Sequence, residues 1–187
     1  MEPKYLHLTE ESNALDYLEK AVSFIKQTTT SDIAWKWVIL SLHGALYGFA
    51  ISACRGTNSD SVIKPTRTKS GTPPRQQLIS FDEALKRCCK KSGCVTNPLR
   101  LSGQEEKSIS FLKQFLRNKF EHYVPCHWSI GLAGFPNMAI DCLHVVRTLA
   151  TETSMWVHLD PEDRKRITTL TAEADGILLN SPLWLGK

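Results

Sequence analysis

A 22-residue apolar stretch, IAWKWVILSLHGALYGFAISAC at residues 33–54, constrains the fold more than any other feature of the sequence. A helix of about 20 apolar residues is long enough to cross a bilayer. The stretch also carries Lys36, His43, two serines and two glycines, and it has no long run of Leu, Ile or Val. A helix that is apolar on all sides is typical of a protein core as well. We therefore predict a central core helix that ends near Cys54, and no membrane association.

Helical periodicity continues before this stretch and within it. Leu15, Leu18, Val22 and Ile25 recur every three or four residues, which indicates one buried helix face. Asn13 is the predicted N-cap of that helix. Within the core helix, small residues recur at the same spacing and predict a shallow ridge on which another helix can pack closely, namely Ser41, Gly44 or Ala45, Gly48 and Ser52.

The remaining helices have recognisable start signals. Ser80 and Ser102 each stand three residues before a glutamate, the pattern of a capping box. Asp160 precedes a proline and two acids, which are favourable in a first helical turn. Another helix is predicted from about residue 138 to 158. Because no strand pair with hairpin chemistry is evident, the sequence predicts an all-α fold, a single-domain antiparallel bundle of five to six helices over residues 1–187.

A long basic insertion separates the predicted helices 2 and 3. Residues 55–79 contain three prolines, two glycines and no helical period, so we expect a flexible loop. Residues 33–122 carry fifteen Lys and Arg against six Asp and Glu, a net charge of +9, which favours a polyanionic partner. A solvated basic loop explains the same charge. The predicted RNA-binding residues are the four basic residues of the insertion's acid-free segment, Lys64, Arg67, Lys69 and Arg75.

The cysteines predict reduced thiols. The N-terminal sequence MEPKYLHLTEES lacks the basic-then-apolar pattern of a secretory signal, so a cytoplasmic location is expected. The possible zinc ligands lack the paired spacing of structural zinc sites, so no metal is predicted; they are Cys88, Cys89, Cys94, Cys126 and His127. No P-loop or Rossmann glycine pattern is present, and no cofactor is predicted.

The stretch FLKQFLRNKFEHYVP, residues 111–125, holds the strongest candidate site. It ends the helix that Ser102 starts. At 100° per residue, Arg117, Asn118 and His122 fall on the side of this helix opposite its apolar face. That face is formed by Ile109, Leu112, Leu116, Phe120 and Tyr123. The three polar residues are therefore available for chemistry.

Two aromatic residues, Phe111 and Phe115, share the helix sector of the polar cluster. An apolar strip rimmed by polar groups predicts a protein interface. Packing against another helix of the same chain explains the strip as well. The polar cluster also has a structural interpretation, in which Arg117 and Glu121 form a surface ion pair and His122 favours the helix end.

Arg-Asn-x-x-x-His at the end of a late helix resembles the motif of the HEPN superfamily. That motif is an arginine, four to six intervening residues and then a histidine, often with a polar residue directly after the arginine. Arg117, Asn118 and His122 match these positions. The architecture is similar as well: two long N-terminal helices, a variable insertion and then the motif helix. The resemblance implies a homodimer in which two motifs form one composite site, with Phe111 and Phe115 near the twofold axis.

Many members of the superfamily are metal-independent endoribonucleases that act as toxins or host-defence effectors, some with an antitoxin or other regulatory protein. The resemblance implies that Arg117, Asn118 and His122 are catalytic and that RNA is the substrate. The RNA 2′-hydroxyl would be the nucleophile, His122 a general base or acid and Arg117 the group that holds the phosphate. Asn118 would orient His122 or bind the phosphate.

Some toxin members carry a tyrosine two residues after the histidine, which a partner enzyme modifies. Here Tyr123 follows His122 directly, so this modification is not expected. Two other functions fit the sequence: a non-catalytic HEPN-like module that binds nucleotides or proteins, and a helical interaction protein without a nucleic-acid role. His43 is predicted to be a buried, hydrogen-bonded core residue, and His144 and Arg147 a structural polar pair.

Overall fold

The computed structural model describes residues 3–65, 76–91, 95–122, 127–153 and 159–186. Helix makes up 66% of the structure, which confirms the all-α prediction. The α-helices of the described residues are α1 (Glu10–Gln27), α2 (Ala34–Arg55), α3 (Phe81–Cys88), α4 (Gly103–Ser110), α5 (Asn118–Glu121), α6 (Phe135–Thr151) and α7 (Pro161–Leu179). A π-helical segment, Phe111–Arg117, joins α4 to α5 without a break, and we call residues 103–121 the motif helix.

Helix α2 lies at the centre of the fold, as its sequence predicts. Trp35, Leu42 and Phe49 are almost completely buried. The helix is long and apolar enough to cross a membrane, but 67% of its apolar window is buried inside the fold, so it is a core helix. Helices α1, α3, α6 and the π segment all contact it. The side chains of α2 therefore connect the motif helix with the rest of the core.

The small-residue ridge of α2 brings α1 very close. A Cβ atom placed on Gly48 would stand 2.7 Å from the Cβ of Ala14. Non-bonded carbon atoms do not come this close, so only glycine fits where α1 crosses α2 at this position. The prediction that another helix packs closely on the ridge is confirmed.

Three of the four predicted helix caps agree with the structure, and one does not. The predicted N-cap Asn13 is wrong, because Thr9 caps α1 and exchanges hydrogen bonds with Ser12. Helix α1 begins a turn earlier than its apolar pattern does. Ser80, Ser102 and Asp160 cap their helices as predicted.

Both ends of the basic insertion are ordered. Strand β1 (Ile63–Pro65) pairs with β2 (Gln76–Leu78) in an antiparallel arrangement. This strand pair was not predicted, because each strand has only three residues and ten residues separate the two strands, in place of a short hairpin turn. Val62 and Ile79 are buried, which shows that these two residues belong to the core. Residues 66–75 lie outside the described residues.

Helix α6 differs from its prediction at both ends. It begins at Phe135 rather than near Met138, and it ends at Thr151 rather than near residue 158. Its start follows Gly134, whose φ of +81° is a left-handed conformation that favours glycine. Pro136 has no amide hydrogen, and in the first turn of a helix the amide groups have no hydrogen-bond partner within the helix, so the proline costs no hydrogen bond there. Helix α6 packs against α4 and thereby fixes the base of the motif helix.

Candidate functional site

The candidate motif lies at the end of the π-helical segment. Seven residues, Phe111–Arg117, are π-helical, and Asn118 continues in α-helical geometry. A π turn closes its hydrogen bonds five residues apart instead of four, and π segments occur frequently at functional sites. Because the pitch changes here, directions taken from a regular α-helix no longer hold for Arg117 and the residues after it.

The core face of the motif helix follows the prediction up to the end of the π segment. Ile109, Leu112 and Leu116 are buried. Phe120, predicted to share that face, is only half-buried and packs its ring 5.4 Å from the ring of Trp128. Tyr123 lies outside the described residues. Phe120 therefore packs at the edge of the core and is less buried than the residues before it on this face.

Arg117 is less exposed than a regular helix predicts. Its side chain is 29% exposed, and its Nε is buried without a hydrogen-bond partner within the described residues. The two Nη atoms have partners: Nη1 donates to Oδ1 of Asn118 at 3.1 Å, and Nη2 forms an ion pair with Glu121. The two Nη atoms of the guanidinium are thus held by polar partners, whereas its Nε atom is buried.

The ion pair between Arg117 and Glu121 is the structural alternative that the sequence offers, and it is present. The pair is partly exposed on both sides. Glu121 occupies the guanidinium face on which a phosphate would bind, since a carboxylate and a phosphate use the same donors. In this arrangement a polyanion has to compete with Glu121 for Arg117.

His122 is exposed at the end of α5. Its backbone amide donates to the carbonyl oxygen of Asn118 at 2.9 Å. The Asn118 side chain does not orient the imidazole: its Oδ1 accepts from Arg117 and its Nδ2 donates to the carbonyl of Gln114 at 3.2 Å. Asn118 therefore positions Arg117. Across the described ranges, no hydrogen bond to the His122 imidazole is present, so its ring nitrogens are available.

Phe111 and Phe115 form an exposed aromatic strip beside the motif. Their rings stack 5.5 Å apart at an interplanar angle of 10°, and about two-fifths of each residue is exposed. Phe111 also contacts Phe135 of α6 in an edge-on geometry. The Nζ atom of Lys119 lies over the Phe115 ring, 5.9 Å from the ring centroid. The strip is thus anchored in the fold at one end and open to solvent along its face.

The motif helix has a second histidine beside it, which sequence reasoning placed in the core. His43 on α2 is half-buried, and its ring lies 5.2 Å from the ring of Phe81. Burial, and after it the nearby charges of Arg117 and Lys113, together lower the pKa of His43 to about 4. The predicted hydrogen bond of His43 is not found within the described part of the chain. His43 is therefore a neutral imidazole at pH 7, close to Arg117.

The packing of α2 against the π segment brings Arg117 near enough to His43 for its charge to lower the pKa of the imidazole. They stand 74 positions apart, and no short motif connects them. The apolar surroundings of His43 in the sequence gave no signal of this neighbourhood. A carboxylate also lies near these groups. Asp82 of α3 forms an ion pair with Lys113, and its negative charge weakly opposes the fall in the His43 pKa.

A second polar cluster connects the base of the motif helix to α6. The Nδ1 of His144 contacts the Glu105 carboxylate, and the Ser108 hydroxyl donates to Asp141 at 2.6 Å. His144 therefore pairs with Glu105, and the predicted structural pair with Arg147 is not formed. These contacts line a groove of about 1040 Å³ that also reaches Phe111. They hold α4 in place and do not reach the candidate motif.

Of the four predicted RNA-binding residues, the structure describes Lys64. Lys64 is exposed on β1. Arg67, Lys69 and Arg75 lie outside the described residues. Among residues that the structure describes, no group of three or more His, Cys, Asp or Glu side chains could hold a metal ion. Two of the cysteines considered as zinc ligands, Cys94 and Cys126, also lie outside these ranges.

Comparison with protein-family models, with curated proteins and with solved structures finds no match to this chain.

Proposed function

We propose that this protein is a HEPN-type endoribonuclease whose catalytic residues are Arg117, Asn118 and His122. The observation that carries the proposal is the arrangement of these residues at the end of a π-helical segment. There a half-buried arginine, held by an asparagine, stands one turn before an exposed histidine. Such pairs of a fixed cation and a free imidazole suit phosphodiester chemistry.

The proposed reaction is transesterification at a phosphate of RNA. His122, as a neutral imidazole, takes the proton of the 2′-hydroxyl, and the 2′-oxygen attacks the adjacent phosphorus. The bond to the 5′-oxygen breaks, and that oxygen takes a proton from a second acid. The products are a 2′,3′-cyclic phosphate and a 5′-hydroxyl end. Arg117 stabilises the charge on the phosphate oxygens in the transition state.

A homodimer would supply the second acid. Two copies of the motif related by a twofold axis contribute two histidines to one site, so one acts as base and the other as acid. The exposed strip of Phe111 and Phe115 supports this arrangement, because an apolar surface next to polar groups is typical of an interface. The antiparallel single-domain bundle belongs to the same proposal, as do a cytoplasmic location, a toxin or defence role and a regulatory antitoxin.

A non-catalytic module that binds nucleotides or proteins is the second candidate function. The ion pair between Arg117 and Glu121 favours it, because an arginine held by a carboxylate has a structural role without any substrate. The two functions differ in one observable property, cleavage of RNA, while both allow binding.

Incubation of the purified protein with total RNA in the presence of a chelator tests the proposal. We expect fragments with 2′,3′-cyclic phosphate or 3′-phosphate ends. Arg117→Ala and His122→Ala should each reduce cleavage by about 10²-fold or more, the scale of losing an anion donor or a positioned acid–base group. Arg166→Ala and His7→Ala are matched controls, since both residues are exposed and lie outside the motif helix.

The controls should cleave at the wild-type rate. The His122→Ala variant should keep the wild-type stability to within about 0.5 kcal/mol because the side chain is exposed. Folded Arg117 and His122 variants that cleave as well as wild type would reject the mechanism. Binding of RNA without cleavage by the wild-type protein would leave the binding module as the function.

A further inference from the structure

Two cysteines from different helices meet in the core. Cys54 in the last turn of α2 and Cys88 at the end of α3 have their sulfur atoms 3.6 Å apart. Both are free thiols, and both are buried. A covalent disulfide has a sulfur–sulfur distance of about 2.05 Å, so the two atoms need to approach each other by about 1.5 Å.

The two thiols are chemically different. The hydrogen-bond contact with the Cys88 thiol lowers the pKa of Cys54, burial opposes this fall, and the positive charge of Arg87 adds to it. The same hydrogen bond, together with burial, raises the pKa of Cys88. Cys54 is also the less buried of the two, 7% exposed against 0% for Cys88, so a small hydroperoxide reaches its sulfur atom first. The thiolate is the reactive form of cysteine.

We propose that Cys54 and Cys88 are a modification site, at which a hydroperoxide converts the thiol pair into a reversible disulfide. The inference is independent of the proposed ribonuclease activity.

The chemistry balances with hydrogen peroxide as the oxidant. The Cys54 thiolate attacks one peroxide oxygen, the oxygen–oxygen bond breaks, and the leaving hydroxide takes up a proton to become water. Cys54 is then a sulfenic acid. Cys88 loses its proton and attacks the Cys54 sulfur, so that a sulfur–sulfur bond forms and a second water leaves. Two thiols lose two electrons, and the peroxide is reduced to two waters.

The position of the pair gives the disulfide a structural effect. It would close residues 55–87 into a loop that contains the whole basic insertion. Helix α3 would be tied to α2 at its end, while its first turn contacts His43 through Phe81 and the motif helix through Asp82. A closed loop lowers the entropy of the unfolded chain, so oxidation should raise the melting temperature by several degrees.

Peptide mapping of the full-length Cys89→Ser variant tests the proposal. Trypsin releases Cys54 in residues 37–55 and Cys88 in residues 88–90, and the substitution removes the neighbouring thiol from the second peptide. Cys89 is exposed, so the variant should fold as wild type does. After treatment with hydrogen peroxide and alkylation, we expect the two peptides joined, two hydrogens lighter than their sum, and separated again by dithiothreitol.

The matched control is Cys88→Ser, which keeps the exposed Cys89 thiol next to the same site. It should give no link between residues 37–55 and 88–90. The proposal is wrong if Cys54 and Cys88 are both alkylated after peroxide treatment and unfolding. It is also wrong if the Cys88→Ser protein forms the link as fast as the Cys89→Ser protein, because the thiol geometry would then not decide the pairing.

Discussion

Glu121 should act as a competitor for the candidate active site, and its removal should strengthen RNA binding. In the free protein, Arg117 is paired with Glu121, so a phosphate has to displace the carboxylate before it can bind the guanidinium. Glu121→Gln removes the charge and keeps the size of the side chain. Wild-type affinity therefore includes the free energy of breaking this pair, and the variant's affinity does not.

The magnitude follows from the exposure of the pair. The Arg117 and Glu121 side chains are 29% and 40% exposed, which makes this a partly solvated pair. Such pairs contribute about 0.2–1 kcal/mol. We expect the dissociation constant for RNA to fall by a factor of about 1.4 to 5, since RT is about 0.6 kcal/mol. The free energy of unfolding should fall by about the same amount.

Binding is measured by fluorescence anisotropy with a labelled RNA, in a His122→Ala background so that the RNA stays intact. The matched control is Glu173→Gln, which breaks the exposed ion pair with Lys26 and changes the net charge equally. It should leave RNA affinity within the error of the measurement. The increase for Glu121→Gln should shrink at high salt, because counterions screen the partly exposed charges.

One result would refute this reasoning. If Glu121→Gln loses the stability of the ion pair but binds RNA no better than Glu173→Gln does, then Arg117 does not contact phosphate. The pair would then be structural, and the arginine could not have its proposed catalytic role.

Replacing Phe111 and Phe115 by Asp should convert a dimer into monomers in light scattering and abolish cleavage, whereas wild-type protein that is monomeric at micromolar concentration would contradict the interface. Neutralising the basic residues of the insertion should weaken RNA binding and flatten its salt dependence with little change in melting temperature; the residues are Lys64, Arg67, Lys69 and Arg75. Stability should fall by up to about 3 kcal/mol between pH 6.5 and 4, because the unfolded chain binds a proton at His43 in this range and the folded protein does not. Urea unfolding at both pH values checks this, and His43→Gln should lack that part of the slope.

The sequence predicted most of the helices because their signals are local. Ser102 and Asp160 are caps that act within one turn, and the periodic apolar face of α1 marks its packing surface. Asn13 failed as a cap because α1 extends one turn beyond its apolar pattern. The pairing of Ile63 with Leu78 could not be predicted, since each strand has only three residues and ten residues separate the two strands, in place of a two-residue hairpin turn.

The sequence predicts which residue types form the candidate site but not the directions of their side chains. Arg117, Asn118 and His122 became candidates through their spacing and its resemblance to a family motif. Their environment depends on the π segment, which no propensity or period in FLKQFLR indicates. The approach of His43 to Arg117 depends on tertiary packing between α2 and that segment. A single sequence can thus indicate candidate residues that share a short motif. It cannot indicate residues, such as His43 and Arg117, that become neighbours only through tertiary packing.

The π segment also makes the motif sensitive to chain length. A π turn contains about one residue more than an α turn between its hydrogen-bonded groups. Deleting the exposed Gln114 would therefore let the segment become α-helical while leaving every candidate catalytic residue in the chain. Because the π turn takes up the extra residue, the shortened helix would keep Leu116 in the core and Arg117 in its present direction. An α-helix with the same number of residues would instead rotate everything after the segment by about 100° about the helix axis. Related chains without the π turn should accordingly be one residue shorter between Ile109 and Arg117, and should differ from this chain there by a gap and not by a substitution.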